Sequence, residues 1–150
     1  MAEAPRRVRL GATGADERER ALTVYRDTSA LVKLVVIEKE SRALRTFLRH
    51  EPEQFSCAIA RTELLRAVHC GGSAAIEDAR RVLRHIHLIR LGDALLDAAG
   101  MLDPVKMRSL DAIHLAAAAL IAPEMTALGT YDKRMAESAA FLGFPVVSPA

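Results

Sequence analysis

The chain has 150 residues and a net charge of +2, with 51% hydrophobic and 27% charged residues. A chain of that length buries about 68–70% of its unfolded surface, so it folds as one domain without covalent staples. The small charge does not by itself point to a nucleic-acid partner, and Cys57 and Cys70 fit neither a zinc spacing nor a disulfide framework.

Residues 1–21 mix Arg, Glu, Gly and Ala without periodicity and read as a flexible N-terminal extension. The Arg6-Arg7 pair has no apolar stretch behind it, so no export signal is expected. The folded domain is expected over 22–150. "LTVY" (22–25) reads as a first strand, while "SALVKLVVI" (29–37) fits either a strand or a buried helix. Leu44, Phe47 and Leu48 make the apolar face of a helix within 38–50, with Arg42, Arg45 and Arg49 on another face. "FSCAI" (55–59) is a short strand, followed by a helix through "ARTELLRAVH". Gly71-Gly72 breaks that helix, and Ser73 is expected to cap the next, which runs to about Arg84.

"IHLIRL" (86–91) is strand-like, and Gly92-Asp93 opens a helix that fades before Pro104. "RSLDAIHLAAAALI" (108–121) is a strong helix stopped by Pro123. "TALGT" (126–130) is strand, Asp132 to Leu142 helix, and "PVV" (145–147) a last strand. The longest apolar run, 112–122, is roughly half a membrane span and contains His114, so a soluble cytoplasmic protein is expected. Strands alternating with helices predict an α/β fold with a parallel sheet covered on both faces. Right-handed crossovers then bring every strand's carboxyl end to one edge, where such folds bind ligands.

Three acids follow this logic. Asp27 directly follows the first strand, Asp132 follows "TALGT" after one residue, and Glu63 lies in the first turn of the helix after "FSCAI". Asp111 also opens a helix, but no strand immediately precedes it, so periodicity does not place it with the others. Singly, each first-turn carboxylate is explained by the helix dipole, typically about 0.3–1 kcal/mol. Collectively they need a counter-charge, since two carboxylates about 4 Å apart repel by about 4 kcal/mol at an effective dielectric near 20. A hard divalent cation, Mg²⁺ or Mn²⁺, suits oxygen ligands. Thr28, Ser29 and Thr130 supply hydroxyls beside Asp27 and Asp132, for capping or for contact with metal-bound water or phosphate. His114 lies one turn beyond Asp111 on the same face and reads first as a satisfied helix histidine. The His85-x-His87 pair has no third ligand nearby.

The pieces "YRDTSALVKL", "SCAIARTELLRA", "RSLDAIHLAAAAL" and "LGTYDKRMAESAAFLGFPVVSP", in this order, resemble the PIN-domain ribonucleases, most closely the VapC-type toxins of toxin–antitoxin pairs. The resemblance spans residues 22–150. It implies a three-layer α/β/α sandwich with a five-stranded, mostly parallel sheet, and it resolves "SALVKLVVI" as a helix. It carries the family's acids onto Asp27, Glu63, Asp111 and Asp132, placing Asp111 in the cluster. It further implies Mg²⁺- or Mn²⁺-dependent endoribonuclease activity leaving a 5′-phosphate and a 3′-hydroxyl, with an RNA substrate, a cognate antitoxin protein and a homodimer. Two positions depart from the pattern: Arg26 stands where the family usually has an apolar residue, and Arg134 where some members carry a further acid. The alternative is a PIN-like module without turnover that binds RNA or protein. A haloacid-dehalogenase reading is set aside because Ser29 stands where its second acid belongs.

Overall fold

The computed structural model describes residues 22–50 and 53–150; the expected extension over 1–21 lies outside them. Thirteen elements follow in chain order: β1 (Thr23–Arg26), α1 (Thr28–Val35), α2 (Ser41–Leu48), β2 (Glu53–Cys57), α3 (Ala60–Val68), a 3₁₀ turn (His69–Gly71), α4 (Gly72–Arg84), β3 (His87–Ile89), α5 (Asp93–Gly100), α6 (Ser109–Ala119), β4 (Ala127–Gly129), α7 (Lys133–Phe141) and β5 (Val146–Val147). "SALVKLVVI" is therefore a helix over most of its length. The side chain of Asp27 starts α1 by accepting from Ala30 N at 3.1 Å, which fixes the boundary between strand and helix. Ser73 does not cap α4. The 3₁₀ turn carries the chain straight into a helix that already begins at Gly72, whose φ of +78° supplies the corner.

The five strands form one sheet in the order β3-β2-β1-β4-β5, and every adjacent pair is parallel. "TALGT" contributes only its middle to β4, because Thr126 leaves the ladder to exchange hydrogen bonds with the backbone of Thr23. The chain first builds outward from β1 through β2 to β3, then returns across β1 to add β4 and β5. The order thus reverses between β1 and β4, and a crevice opens there beyond the strands' carboxyl ends.

Strand side chains alternate between two apolar layers. On one face Tyr25, Cys57 and Leu128 pack with Leu95 and Ala99 of α5, Leu115 and Ala118 of α6, and Met135 and Ala139 of α7. On the other, Leu31 of α1, Ala60 and Leu64 of α3, and Ala79 and Leu83 of α4 close over Leu88 of β3. Burying each large side chain contributes about 1.5–3 kcal/mol. These two layers hold the sheet between helices and fix the strand ends that carry the acids. Among the described residues no helix is long and apolar enough to cross a membrane.

Arg26 is the anomaly of this sheet. An arginine in a covered sheet is expected to reach the rim or find an acid, and here it does neither. It is 1% exposed, and its Nη2 donates to Oε1 of Gln54 on the neighbouring strand. Among the described residues its Nε and Nη1 have no acceptor, and the Ser56 hydroxyl is likewise unmet. Val24 pairs with Gln54, and Ser56 with Leu88, so Arg26 and Ser56 both face the layer of α1, α3 and α4. Arg26 points away from Asp27, as strand alternation requires.

Candidate metal centre

The crevice between β1 and β4 is a cleft of about 280 Å³, lined by Asp27, Glu63, Asp111 and Asp132 together with Thr28, Ser29, His114 and Arg108. Asp27 and Asp132 arrive from the ends of β1 and β4, and Glu63 from the first turn of α3. Asp111 arrives for a topological reason. The element after α6 is β4, which must start at the amino edge of the sheet. Hence α6 runs back from the carboxyl edge, and its first turn lies on the rim.

Asp27 is buried, and both of its oxygens accept hydrogen bonds. Oδ1 receives Ser29 Oγ at 2.6 Å and Ala30 N at 3.1 Å, and Oδ2 receives Thr130 Oγ1 at 2.6 Å. Burial raises the Asp27 pKa, and the Ser29, Thr130 and Ala30 donors oppose that rise without cancelling it. The two hydroxyls also brace each other at 3.2 Å, while Ser29 Oγ accepts from Tyr131 N and Thr130 Oγ1 from Asp132 N. The helix caps are the Asp27 and Asp132 carboxylates themselves, so the hydroxyls expected to cap instead hold Asp27 and the turn that leads into α7.

Glu63 is held from two sides: Thr28 Oγ1 donates to its Oε1 at 3.1 Å, and His114 Nε2 lies 2.8 Å from the same oxygen. His114 is buried, with Nδ1 2.9 Å from the Tyr25 hydroxyl and 3.5 Å from Cys57 Sγ. Burial disfavours its charge, but Cys57 and the Glu63 carboxylate outweigh burial and hold its pKa up at about 10. His114 is thus a satisfied helix histidine whose partner is one of the acids. The sequence does not single out Tyr25 or Cys57 as site residues.

Asp132 spends Oδ1 on the start of α7, accepting from Arg134 N at 2.9 Å and Met135 N at 3.3 Å. Its Oδ2 accepts from Arg108 Nη2 at 2.7 Å. Arg108 also grips Asp111, through Nε at 2.8 Å to Oδ2 and Nη2 at 3.3 Å to Oδ1. Burial works against ionisation of Asp132, yet Arg108 and the helix N–H groups hold its pKa below the usual carboxylate value. Sequence reading missed Arg108, although its spacing of three from Asp111 at a helix start is the signal for such a pair.

In these side-chain positions no three His, Cys, Asp or Glu residues among those described stand close enough to hold one metal ion. The donor set still fits a hard cation: four carboxylates and no thiol line one cleft, and the His114 imidazole that also borders it has Nε2 on Glu63 and Nδ1 on Tyr25. Arg108 now neutralises two of those carboxylates.

The other candidates lie elsewhere. His85 Nδ1 faces its own helix at Arg81 O, whereas His87 pairs with Glu53 and stacks on Phe55, so the two do not converge. Arg81 and Arg84 pair with Asp78 and Glu77 on α4, and Arg45 donates to Leu34 O. None of Arg42, Arg45, Arg49, Arg81 and Arg84 lines the cleft.

Comparison with known proteins agrees with this architecture. The chain is 45% identical over 127 residues to Ribonuclease VapC46 of Mycobacterium tuberculosis (strain ATCC 25618 / H37Rv), covering 85% of this chain and 98% of that protein. It is 40% identical over 131 residues to Ribonuclease VapC47 of Mycobacterium tuberculosis (strain CDC 1551 / Oshkosh), covering 84% and 96%. The crystal structure of Mycobacterium tuberculosis VapC20, a sarcin-ricin loop cleaving toxin, superposes with a TM-score of 0.67 over 85% of this chain and all of that one. At 17% identity this likeness shows the shared fold. A family model described as PIN domain matches residues 24–141, a span that contains all four acids and every strand's carboxyl end except that of β5. With the all-parallel sheet and the acid-lined crevice at its point of reversal, these matches establish that the chain belongs to the PIN domain family.

Proposed function

We propose that this protein is a Mg²⁺- or Mn²⁺-dependent endoribonuclease, the toxin of a toxin–antitoxin pair, with residues 22–150 as its working domain. One observation carries the reading. Four carboxylates from separate elements line a single cleft at the β1/β4 reversal of a PIN domain chain whose close relatives are named ribonucleases. Asp27, Asp111 and Asp132 would hold the metal directly or through water, and Glu63 would serve as a further ligand or orient the attacking water. A divalent ion in such a site lowers the pKa of bound water and stabilises charge on the scissile phosphate.

The chain's own part is to keep the carboxylates ionised, aimed and close. Ser29, Thr130 and the first turn of α1 hold Asp27 against the rise that burial imposes. Thr28 and His114 fix Glu63, and the start of α7 fixes Asp132. Cleavage would leave a 5′-phosphate and a 3′-hydroxyl. A cognate antitoxin, a homodimer and a cytoplasmic setting complete the proposal.

The competing reading is a PIN-like binding module without turnover. It draws on Arg108, whose guanidinium already balances Asp111 and Asp132. Mapping of transcript ends after induced expression separates the two. Wild type should create new ends that an Asp27→Asn protein does not, and purified wild type should stop cleaving in excess EDTA. Undiminished cleavage by folded Asp27→Asn protein, or in EDTA, overturns the nuclease reading.

A further inference from the structure

Arg108 sits at a place that helix stability does not explain. It is the N-cap of α6 and caps no N–H group with its side chain. A positive charge at a helix N-terminus also opposes the macrodipole. Its side chain turns instead across the mouth of the cleft and ties Asp111 to Asp132.

The oxygens involved matter. Asp132 Oδ1 is committed to two backbone N–H groups of α7, so Oδ2 is the oxygen it has left for a cation in the cleft. That oxygen is the one Arg108 holds at 2.7 Å. Both oxygens of Asp111 lie against the same guanidinium. A divalent ion reaching these two acids therefore competes with Arg108 for the same lone pairs.

We propose that Arg108 is the exchangeable counter-cation of the Asp111–Asp132 pair, and that on metal binding its released guanidinium becomes the residue that holds the RNA phosphate at the cleft mouth. This rests on the metal-dependent nuclease reading and extends it to a positioning residue. Release is sterically open, because the Arg108 side chain is 47% exposed while Asp111 is only 14% exposed. The guanidinium stays tethered at the rim by the start of α6. The other basic side chain lining the cleft, His114, is buried behind Glu63 and cannot reach a bound strand. A planar five-donor fork matches phosphate oxygens as well as it matches carboxylates.

Calorimetric titration of the full chain with Mn²⁺, in wild type, Arg108→Gln and Arg108→Lys, is the test, paired with RNA cleavage at saturating Mn²⁺. Removing the competitor should tighten Mn²⁺ binding in Arg108→Gln by about tenfold, the equivalent of one charge-assisted pair. The same variant should lose about a hundredfold in cleavage once loaded, the usual loss for a donor to developing charge. Arg108→Lys keeps a charge but not the fork, so its Mn²⁺ affinity should stay nearer wild type while cleavage remains low. Circular dichroism in EDTA reports whether each variant is folded. Should Arg108→Gln misfold, Arg108→Met removes the same charge and takes its place, with the same outcomes deciding. Equal or weaker Mn²⁺ binding by folded Arg108→Gln overturns the exchange, and undiminished cleavage overturns the phosphate role. Wild type that binds no Mn²⁺ at millimolar concentration defeats the nuclease reading itself, a different result from either.

Discussion

At the end of β1 two adjacent buried charges meet opposite environments. Asp27 enters the cleft with both oxygens accepting hydrogen bonds, whereas Arg26 enters the α1–α3–α4 layer with two guanidinium nitrogens unmet among the described residues. Burial raises the Asp27 pKa and lowers that of Arg26 to about 10, so each is pushed toward neutrality. Only Asp27 has a set of donors opposing the push. The rim is built to keep a charge; the underside merely tolerates one. A polar residue in this sheet is therefore functional according to the face it occupies, not according to its burial.

The largest effect expected from breaking this contrast lies on the Asp27 side. Asp27→Asn retains an oxygen to cap α1, and the Thr130 hydroxyl can turn to accept from the new amide. Stability should then stay within about 1 kcal/mol of wild type, while RNA cleavage falls by on the order of a thousandfold or more. Urea denaturation and single-turnover cleavage measured on the same preparations check both halves. A parallel loss of stability and activity would make Asp27 a structural residue.

Next in size is Arg26→Met. Replacing an inadequately paired buried charge with an apolar side chain of similar length is often neutral or stabilising, by about 1–4 kcal/mol. Urea denaturation in EDTA should show a gain within that range and no change in cleavage. A loss beyond about 1 kcal/mol would mean that Nε and Nη1 find an acceptor, and the contrast between the two faces would collapse.

The rim and the underside were not equally legible in the sequence. Asp27, Glu63 and Asp132 followed from strand ends, because a parallel sheet sends every such end to one edge. Asp111 did not follow, since attention to the strand before a helix misses a helix placed by the strand after it. The run from Ala127 back through α6 contains that information: a helix leading into a parallel strand must begin at the carboxyl edge. Arg26 was visible as an anomaly, but its partner was not. Gln54 is one of many polar residues, and only strand register brings it within reach. Arg108 was hidden by its neighbours, because in "RSLDAIHL" the aspartate and histidine draw the eye.

A smaller effect is expected at Thr130→Val, which keeps the shape of the side chain and removes the donor to Asp27 Oδ2. The loss should be about 1–2 kcal/mol, the cost of one buried hydrogen bond, and it should depend on pH. Asp27 has a raised folded pKa, so its contribution is fully present below the unfolded value of 3.8 and is lost as pH rises through the folded value. Thr130→Val raises that value further. Measured in EDTA, the variant should approach wild-type stability near pH 4 and fall away from it toward pH 7. A deficit that does not vary with pH would show that the Thr130 hydroxyl serves Asp132 N rather than the Asp27 carboxylate.

The smallest effect is expected at Thr28→Val, which marks where the rim network ends. Thr28 Oγ1 donates to Glu63 Oε1 at 3.1 Å, but the same oxygen is also held by His114 Nε2 at 2.8 Å. The histidine bond is the shorter one, and His114 is buried and anchored in turn by Tyr25, whereas Thr28 is only half-buried. Losing the hydroxyl leaves Glu63 aimed by its stronger partner, and water can reach the vacated oxygen. Stability should fall by less than about 1 kcal/mol, and cleavage by no more than a few-fold, as read by the same denaturation and single-turnover measurements. A loss matching that of Thr130→Val would show that Glu63 needs both donors. The well-supported rim would then extend from Asp27 through Thr28 to α3, leaving Arg26 and Ser56 as the exceptions in an otherwise satisfied strand end.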